Sequence, residues 1–528
     1  MLRRRTVVSF AALLVSFGIA TLPSLPPTMA STTGGRGTDF NNDGYDDLVM
    51  VDARATSDFH ANAGLVFIAP GSPTGPRLNR SQTLGQTIAG VPGNANADDY
   101  FGITWTSGRF DADAFDDLAI CVPGERVSGL DSAGAVIVFP GSRAGLAPAR
   151  SRLFSRATVG VPGLPVADER WCLHGLASGD FNRDGFDEIV VSSTQSRVGG
   201  FDDAGSFTVL PGSSTGVRGT GARSISQNSV GVPGAPEADG HFGGSGVAVG
   251  DFNGDGFDDL SVGAIGVTVA AVDDAGARYL FFGGPNGLKT SGSQVITANS
   301  PGIAGDPVTN GNFGEGDPAV ADWNRDGFDD LLVADPRASV GILANAGQAH
   351  LLRGSPSGVV APGGKLVHRN VSGVPGAAAP LEQFGFIGTV SADFDGNGRS
   401  DVALGGARIH DGIDFNRGGF FVLPGTSTTI GTAGTRYFTQ DTPGVPGVAD
   451  ADRYFSWGIW SADFNGDNYD DLVVPCSFCA IGALDHAGYL LLFRGSALGL
   501  TTTGIRQIKR SAIPGLIDEP ETFFGFAS

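Results

Sequence analysis

A nonapeptide of the form Asp-x-Asn-x-Asp-Gly-x-x-Asp recurs along the chain, and its spacing leaves few folds open. Copies start at Asp39, Arg109, Asp180, Asp251, Asp322, Asp393 and Asp463, each 70 or 71 residues after the last. Self-similarity at a constant period marks an architecture built from one repeated unit. Residues 31–528 hold seven such units with almost nothing left over, so a length that would suggest several domains belongs to one array. Other punctuation keeps the period. A Gly-Val-Pro-Gly turn stands at Gly90, Gly160, Gly231, Gly373 and Gly444, with variants at Gly302 and Ala512. A Phe-Gly pair precedes the acidic loop at Phe101, Phe242, Phe313 and Phe384, and more weakly at Phe455-Ser456 and Trp171-Cys172. After each loop come a short apolar run, an Ala-Gly step (Ala63, Ala133, Ala204, Ala275, Ala346, Ala487), a second apolar run and a Gly-Ser turn.

Each unit reads as four short strands, A to D, separated by turns, the pattern of a propeller blade. The expected fold is all-β: a seven-bladed β-propeller of four-stranded blades. Gly 83 and Pro 30 suit so many turns, and no window sustains a helical period. Strand A should hold the Phe-Gly pair, the acidic loop should join A to B, and D should lead into the Pro-Gly turn. The chain finishes Phe523-Phe524-Gly525-Phe526-Ala527-Ser528, a Phe-Gly segment with no acidic loop behind it. The Asp39 loop has the opposite fault. Splicing Ser528 onto Gly35 restores the usual offset, so the C-terminal strand should complete the first blade and close the ring.

Residues 1–30 read as a secretory signal peptide. Arg3, Arg4 and Arg5 precede an apolar run from Val7 to Leu22, and Thr28-Met29-Ala30-Ser31 offers small residues for cleavage. The general and twin-arginine routes both fit. Residues 31–528 then form a secreted, extracellular propeller without a membrane-inserted segment, expected to be a monomer. A net charge of −21 would repel a phosphate polymer, which excludes nucleic acid and favours cations or basic surfaces.

The Phe-Gly pair, the acidic nonapeptide and the Gly-rich turn resemble the FG-GAP repeats of the integrin α-subunit propeller, and secreted bacterial FG-GAP proteins more closely still. The resemblance runs through all seven units. It implies calcium in the A–B loops on one face and a ligand on the opposite face.

The loop chemistry points the same way. Hard divalent cations need several oxygens on a short, sharply turned backbone. Positions 1, 3, 5 and 9 supply side-chain oxygens, position 7 a carbonyl, and position 6 the turn. The first loop offers Asp39, Asn41, Asp43, Tyr45 and Asp47; the third offers Asp180, Asn182, Asp184, Phe186 and Glu188. The fourth has Asp251, Asn253, Asp255, Phe257 and Asp259, and the fifth Asp322, Asn324, Asp326, Phe328 and Asp330. In the sixth, Asp393, Asp395, Asn397, Arg399 and Asp401 swap two ligand types while keeping the charge. The seventh has Asp463, Asn465, Asp467, Tyr469 and Asp471, with Asn468 at the turn, where Asn tolerates the left-handed region. The second loop begins with Arg109 and has Ala114 at the turn; Arg109 is expected to pair with Asp111, Asp113 and Asp117 and leave it without calcium. About six calcium sites follow. The position-2 side chains Phe40, Phe181, Phe252, Trp323, Phe394 and Phe464 should pack between blades.

Four cysteines suit two bridges in an exported chain. Cys476 and Cys479 should form a local disulfide, and Cys121 and Cys172 should join neighbouring blades. Gly212-Ser213-Ser214-Thr215-Gly216 matches a nucleophile elbow in letters only, since it falls at the C–D turn. Histidines such as His174 and His241 read as exposed loop residues. The polar clusters before strand A, among them Asp98-Asp99-Tyr100 and Asp168-Glu169-Arg170-Trp171, fit either solvated loops or a binding rim. The function expected is a calcium-binding adhesion module for an extracellular protein or glycan. The alternative is a propeller-fold polysaccharide lyase or a lectin.

Overall fold

The computed structural model describes residues 37–525 apart from 387, 407 and 411–415. The expected signal peptide and the splice of Ser528 onto Gly35 lie outside the described residues. Seven antiparallel sheets follow one another along the chain, six with four strands and the first with three. The second blade is representative. Its strands are Trp105–Gly108, Asp117–Val122, Ala135–Phe139 and Arg152–Phe154, paired in chain order. Strands B and C are apolar on both faces because each blade is covered by a neighbour on either side; every residue of Asp117–Val122 and Ala135–Phe139 is buried. Strand D is three residues long and partly exposed in five blades, as in Arg223–Ile225 of the third, and eight residues long as Val360–Val367 and Thr501–Ile508.

The Phe-Gly pair does not lie in strand A, as the sequence reading has it, but in the turn ahead of it. Gly102 takes φ 96°, which bends the chain and aims its N–H at the Cys121 carbonyl, 3.0 Å away at the end of strand B. Gly243 and Gly314 make the same bond to Gly263 and Ala334, each at 2.9 Å. In the first blade that bond comes from the other end of the chain: Gly525 N–H donates to Val51 O at 2.8 Å. Phe524 is fully buried and its ring lies 6.4 Å from that of Phe67. The C-terminal segment therefore completes the first blade. Around the same junction Arg494 and Arg506 of the seventh blade donate to the carbonyls of Thr74 and Pro76 at 2.7 and 2.6 Å.

A buried polar residue stands where strand D leaves each blade: Gln86, Arg156, Gln227, Arg369, Gln440 and Arg510, with Ala298 in its place once. Gln227 and Gln440 donate to the hydroxyls of Tyr279 and Tyr489 at 2.9 and 2.6 Å. Arg510 pairs with the fully buried Asp52 of the first blade at 2.8 Å. Where Ala298 stands, Gln348 reaches the Ala304 carbonyl at 3.2 Å instead. Both disulfides are present, Cys121–Cys172 between blades and Cys476–Cys479 within the seventh.

Candidate metal centres on the loop face

Each acidic loop that begins with Asp is wound around that first carboxylate. Asp39 accepts from the N–H groups of Asp43 and Gly44 at 3.0 and 2.8 Å. Asp180, Asp251, Asp322, Asp393 and Asp463 each accept from positions 5 and 6 in the same way. That geometry needs a left-handed residue at position 6, and Asn468 supplies it with φ 64° as glycine does elsewhere. The position-5 side chain then accepts from the position-7 N–H, as Asp43 does from Tyr45 at 3.2 Å.

The ninth residue is buried and starts strand B, or in the first blade, as Asp47, stands one residue before it. Asp259 accepts from Phe252 N–H at 3.0 Å and from Gly283 N–H, on the C–D turn, at 2.8 Å. Burial, reinforced by the carboxylates of positions 1 and 5, pushes Asp259 and Glu188 up to about 8 and Asp47, Asp330 and Asp471 up to about 7. Asp401 rises to about 7 for the same reasons, with Asp395 and Asp393 as the neighbours. Position 3 takes two poses. Asn253, Asn324 and Asp395 accept from the position-5 N–H at 2.8, 2.8 and 3.1 Å. Asn41, Asn182 and Asn465 instead turn an N–H toward the position-9 carboxylate at 3.3, 2.6 and 3.4 Å.

These oxygens form donor sets with neither nitrogen nor sulfur, each completed by a position-9 carboxylate that burial makes costly to ionise. Such a set fits a hard divalent cation, which would supply the missing positive charge. The residues that would hold it are positions 1, 3, 5 and 9 with the position-7 carbonyl.

The second loop departs from expectation. Arg109 does not face Asp111, Asp113 and Asp117; its Nε lies 3.4 Å from Asp116. Asp116, position 8 of the same loop, is buried and takes the guanidinium as its counter-charge. Asp111, Asp113 and Asp117 gather one oxygen each within 4.8 Å of one another, and Arg150 approaches the first two at 3.9 and 4.0 Å.

Sequence reasoning missed the eighth position. Except at Asp322, whose next loop has Ser400 there, the N–H of a loop's first residue donates to the position-8 carboxylate of the next loop: Asp39 to Asp116 at 3.2 Å, and Arg109, Asp180, Asp251 and Asp393 to Asp187, Asp258, Asp329 and Asp470 at 2.8 Å. Asp463 to Asp46, at 3.2 Å, carries the chain of bonds across the junction of the seventh and first blades. Position-8 N–H groups return the bond to position-1 carbonyls, as Asp187 does to Arg109 O at 2.9 Å. Burial lifts Asp116, Asp329 and Asp470 to about 6. The signal was present, since position 8 is Asp in every copy except Ser400. It was hidden because a further acid in an acidic loop reads as charge rather than as a tie.

Position-2 side chains are buried as expected, Phe40, Phe181, Phe252 and Phe394 completely, while their carbonyls accept from the C–D turn of the next blade. The position-7 rings also cross between blades: a Cβ built on Gly466 would lie 2.6 Å from the Tyr45 ring. Ser213, in the apparent nucleophile elbow, donates to Gly216 O at 2.7 Å and merely closes a turn. His174 is buried, not exposed; it bonds Thr194 Oγ1 at 2.5 Å, and burial pushes it down to about 3.

The FG-GAP repeat family model matches residues 174–210 and 243–281. Among curated proteins, integrin alpha pat-2 of Caenorhabditis elegans is 26% identical over 44% of this chain and 17% of its own length. Integrin alpha-PS5 of Drosophila melanogaster is 30% identical over 33% of this chain and 16% of its own, and human integrin alpha-IIb 33% identical over 31% and 14%. The chain thus spans less than a fifth of these relatives. The exotype rhamnogalacturonan lyase YesX aligns over 90% of this chain and 65% of that one, at 13% identity and a TM-score of 0.37. The seven blades, the loop motif, the two matched repeats and the integrin α relatives together support an integrin-α-like propeller for this chain.

Proposed function

We propose that the protein is a secreted calcium-binding propeller acting as a binding module for an extracellular protein or glycan. The observation that carries this reading is the ring of oxygen-only loops on one end of the propeller, joined by reciprocal bonds. A cation in such a loop stiffens the blade junctions and leaves the opposite end, built from D–A and B–C loops, as a fixed platform. The likeness to integrin α chains supports an extracellular ligand, and the two disulfides suit an oxidising compartment. Among the described residues no helix is long and apolar enough to cross a membrane. The test is a protein and glycan array probed with the chain in calcium and again in chelator. Discrete binding that disappears in chelator is expected; no binding under either condition would overturn the reading.

A further inference from the structure

The junction of the second blade with the third and that of the fifth with the sixth carry the same buried ion pair three repeats apart, but only the latter covers it with aromatic rings. There Arg369 pairs with Glu382, and Phe421 and Tyr437 stack 4.5 Å apart with the Arg369 guanidinium 5.9 and 5.7 Å from their centroids. Those rings face each other across strands C and D in a register that the third blade repeats as Thr208 and Ser224. Arg156 and Glu169 pair at 2.9 Å beneath them. Two hydroxyl residues stand in place of the two rings, and Ser224 borders a cavity of about 800 Å³ lined also by the ion pair, Asp168, Gln195 and Asp203. That volume lies within the range of roughly 300–1,000 Å³ typical of sites that enclose small ligands.

The chemistry of the lining narrows the ligand. Arg197 is paired with Asp202 at 3.1 Å and Arg156 with Glu169, so an anion meets no uncommitted cation. Arg156 Nε and Glu169 Oε2, of two residues in that lining, are buried without partners, and both residues are more than nine-tenths buried. A guanidinium or ammonium group cannot accept from Arg156, and a carboxylate or sulfate cannot donate to Asp168 or Asp203. A hydroxyl does both. Leu164 and Val166, exposed at the mouth, offer an apolar ledge for the C–H face of a sugar ring. We propose that this cavity binds a short neutral oligosaccharide, with Asp168, Asp203 and Gln195 as its polar contacts; the proposal rests on the reading of the chain as a binding module.

The experiment titrates the full chain, in calcium, with maltotriose, cellotriose, mannotriose and chitotriose, and with tri-galacturonate and tetra-arginine as charged probes. Binding is followed by calorimetry and saturation-transfer NMR. Three variants accompany it. Thr208→Phe with Ser224→Tyr imports the sixth blade's rings. Asp168→Asn and Asp203→Asn remove charge at φ 61° and 50°, conformations Asn accepts, so folding is preserved. At least one neutral trisaccharide should bind, and each variant should weaken it by at least about tenfold. If the double variant fails to fold, the two Asp→Asn changes decide alone. No binding of any neutral probe, binding untouched by the variants, or binding of a charged probe only would overturn the proposal. An array ligand held in calcium equally by parent and variants would overturn this assignment while keeping the module reading.

Discussion

Asp259 shows how one side chain in a loop serves two purposes. It caps the start of strand B by accepting from Phe252 and Gly283, and it is the buried member of the oxygen set. Without a cation its folded form holds a proton up to about pH 8, whereas an unfolded aspartate loses it near 3.8. Between those values the folded state binds more protons than the unfolded state, so stability falls as pH rises. Glu188 and the position-9 aspartates share that sign. Melting curves in chelator should therefore shift to lower temperature from pH 5 to pH 8, and excess calcium should flatten or reverse the trend. Asp251→Ala and Asp322→Ala should each lower the calcium count by about one, measured by metal analysis. Asp111→Ala should leave it unchanged, because that loop begins with Arg109 and Arg150 approaches its carboxylates. The ligand positions were legible because motif and turn coincide in sequence. The position-8 tie was not, because its partner lies about 77 residues away in the next blade.

At the scale of elements, strands B and C were legible as apolar runs, and turns as Gly-Pro clusters. The Phe-Gly pair was misplaced by a few residues. Its burial is that of a strand residue, but the positive φ of its glycine is a turn property that composition does not reveal. The buried Gln and Arg residues at the ends of the D strands escaped notice because their identity changes from blade to blade while their role persists. The Cys121–Cys172 bridge ties strand B of the second blade to the Phe-Gly position of the third, across 51 residues. Chain-entropy arguments put the contribution of a loop this long at about 4 kcal/mol. Replacing both cysteines by serine should lower the melting temperature by several degrees. The same pair in strong reductant should shift the parent toward the variant, and coincident melts of the two proteins in oxidant would contradict the assignment.

At the scale of the molecule, closure depends on both ends of the chain meeting in the first blade. Gly525 bonds Val51, Phe524 enters the core, and Asp463 bonds Asp46. Deleting residues 521–528 should expose the edge of the first blade and remove Phe524 from its core, so that melting broadens and the protein elutes partly as higher oligomers. An unchanged melt and a single monomer peak would contradict that closure. The seven-unit ring was legible in full from the constant period, because each blade buries its faces only against its neighbours. The measurement that bears most directly on the whole account is the number of calcium ions held per chain after equilibrium dialysis, paired with melting curves in calcium and in chelator. The account predicts about six ions, one for each loop headed by Asp, and a large loss of melting temperature when they are removed. A seventh ion would overturn the exclusion of the Arg109 loop, and no bound calcium with coincident melts would contradict the metal ring itself.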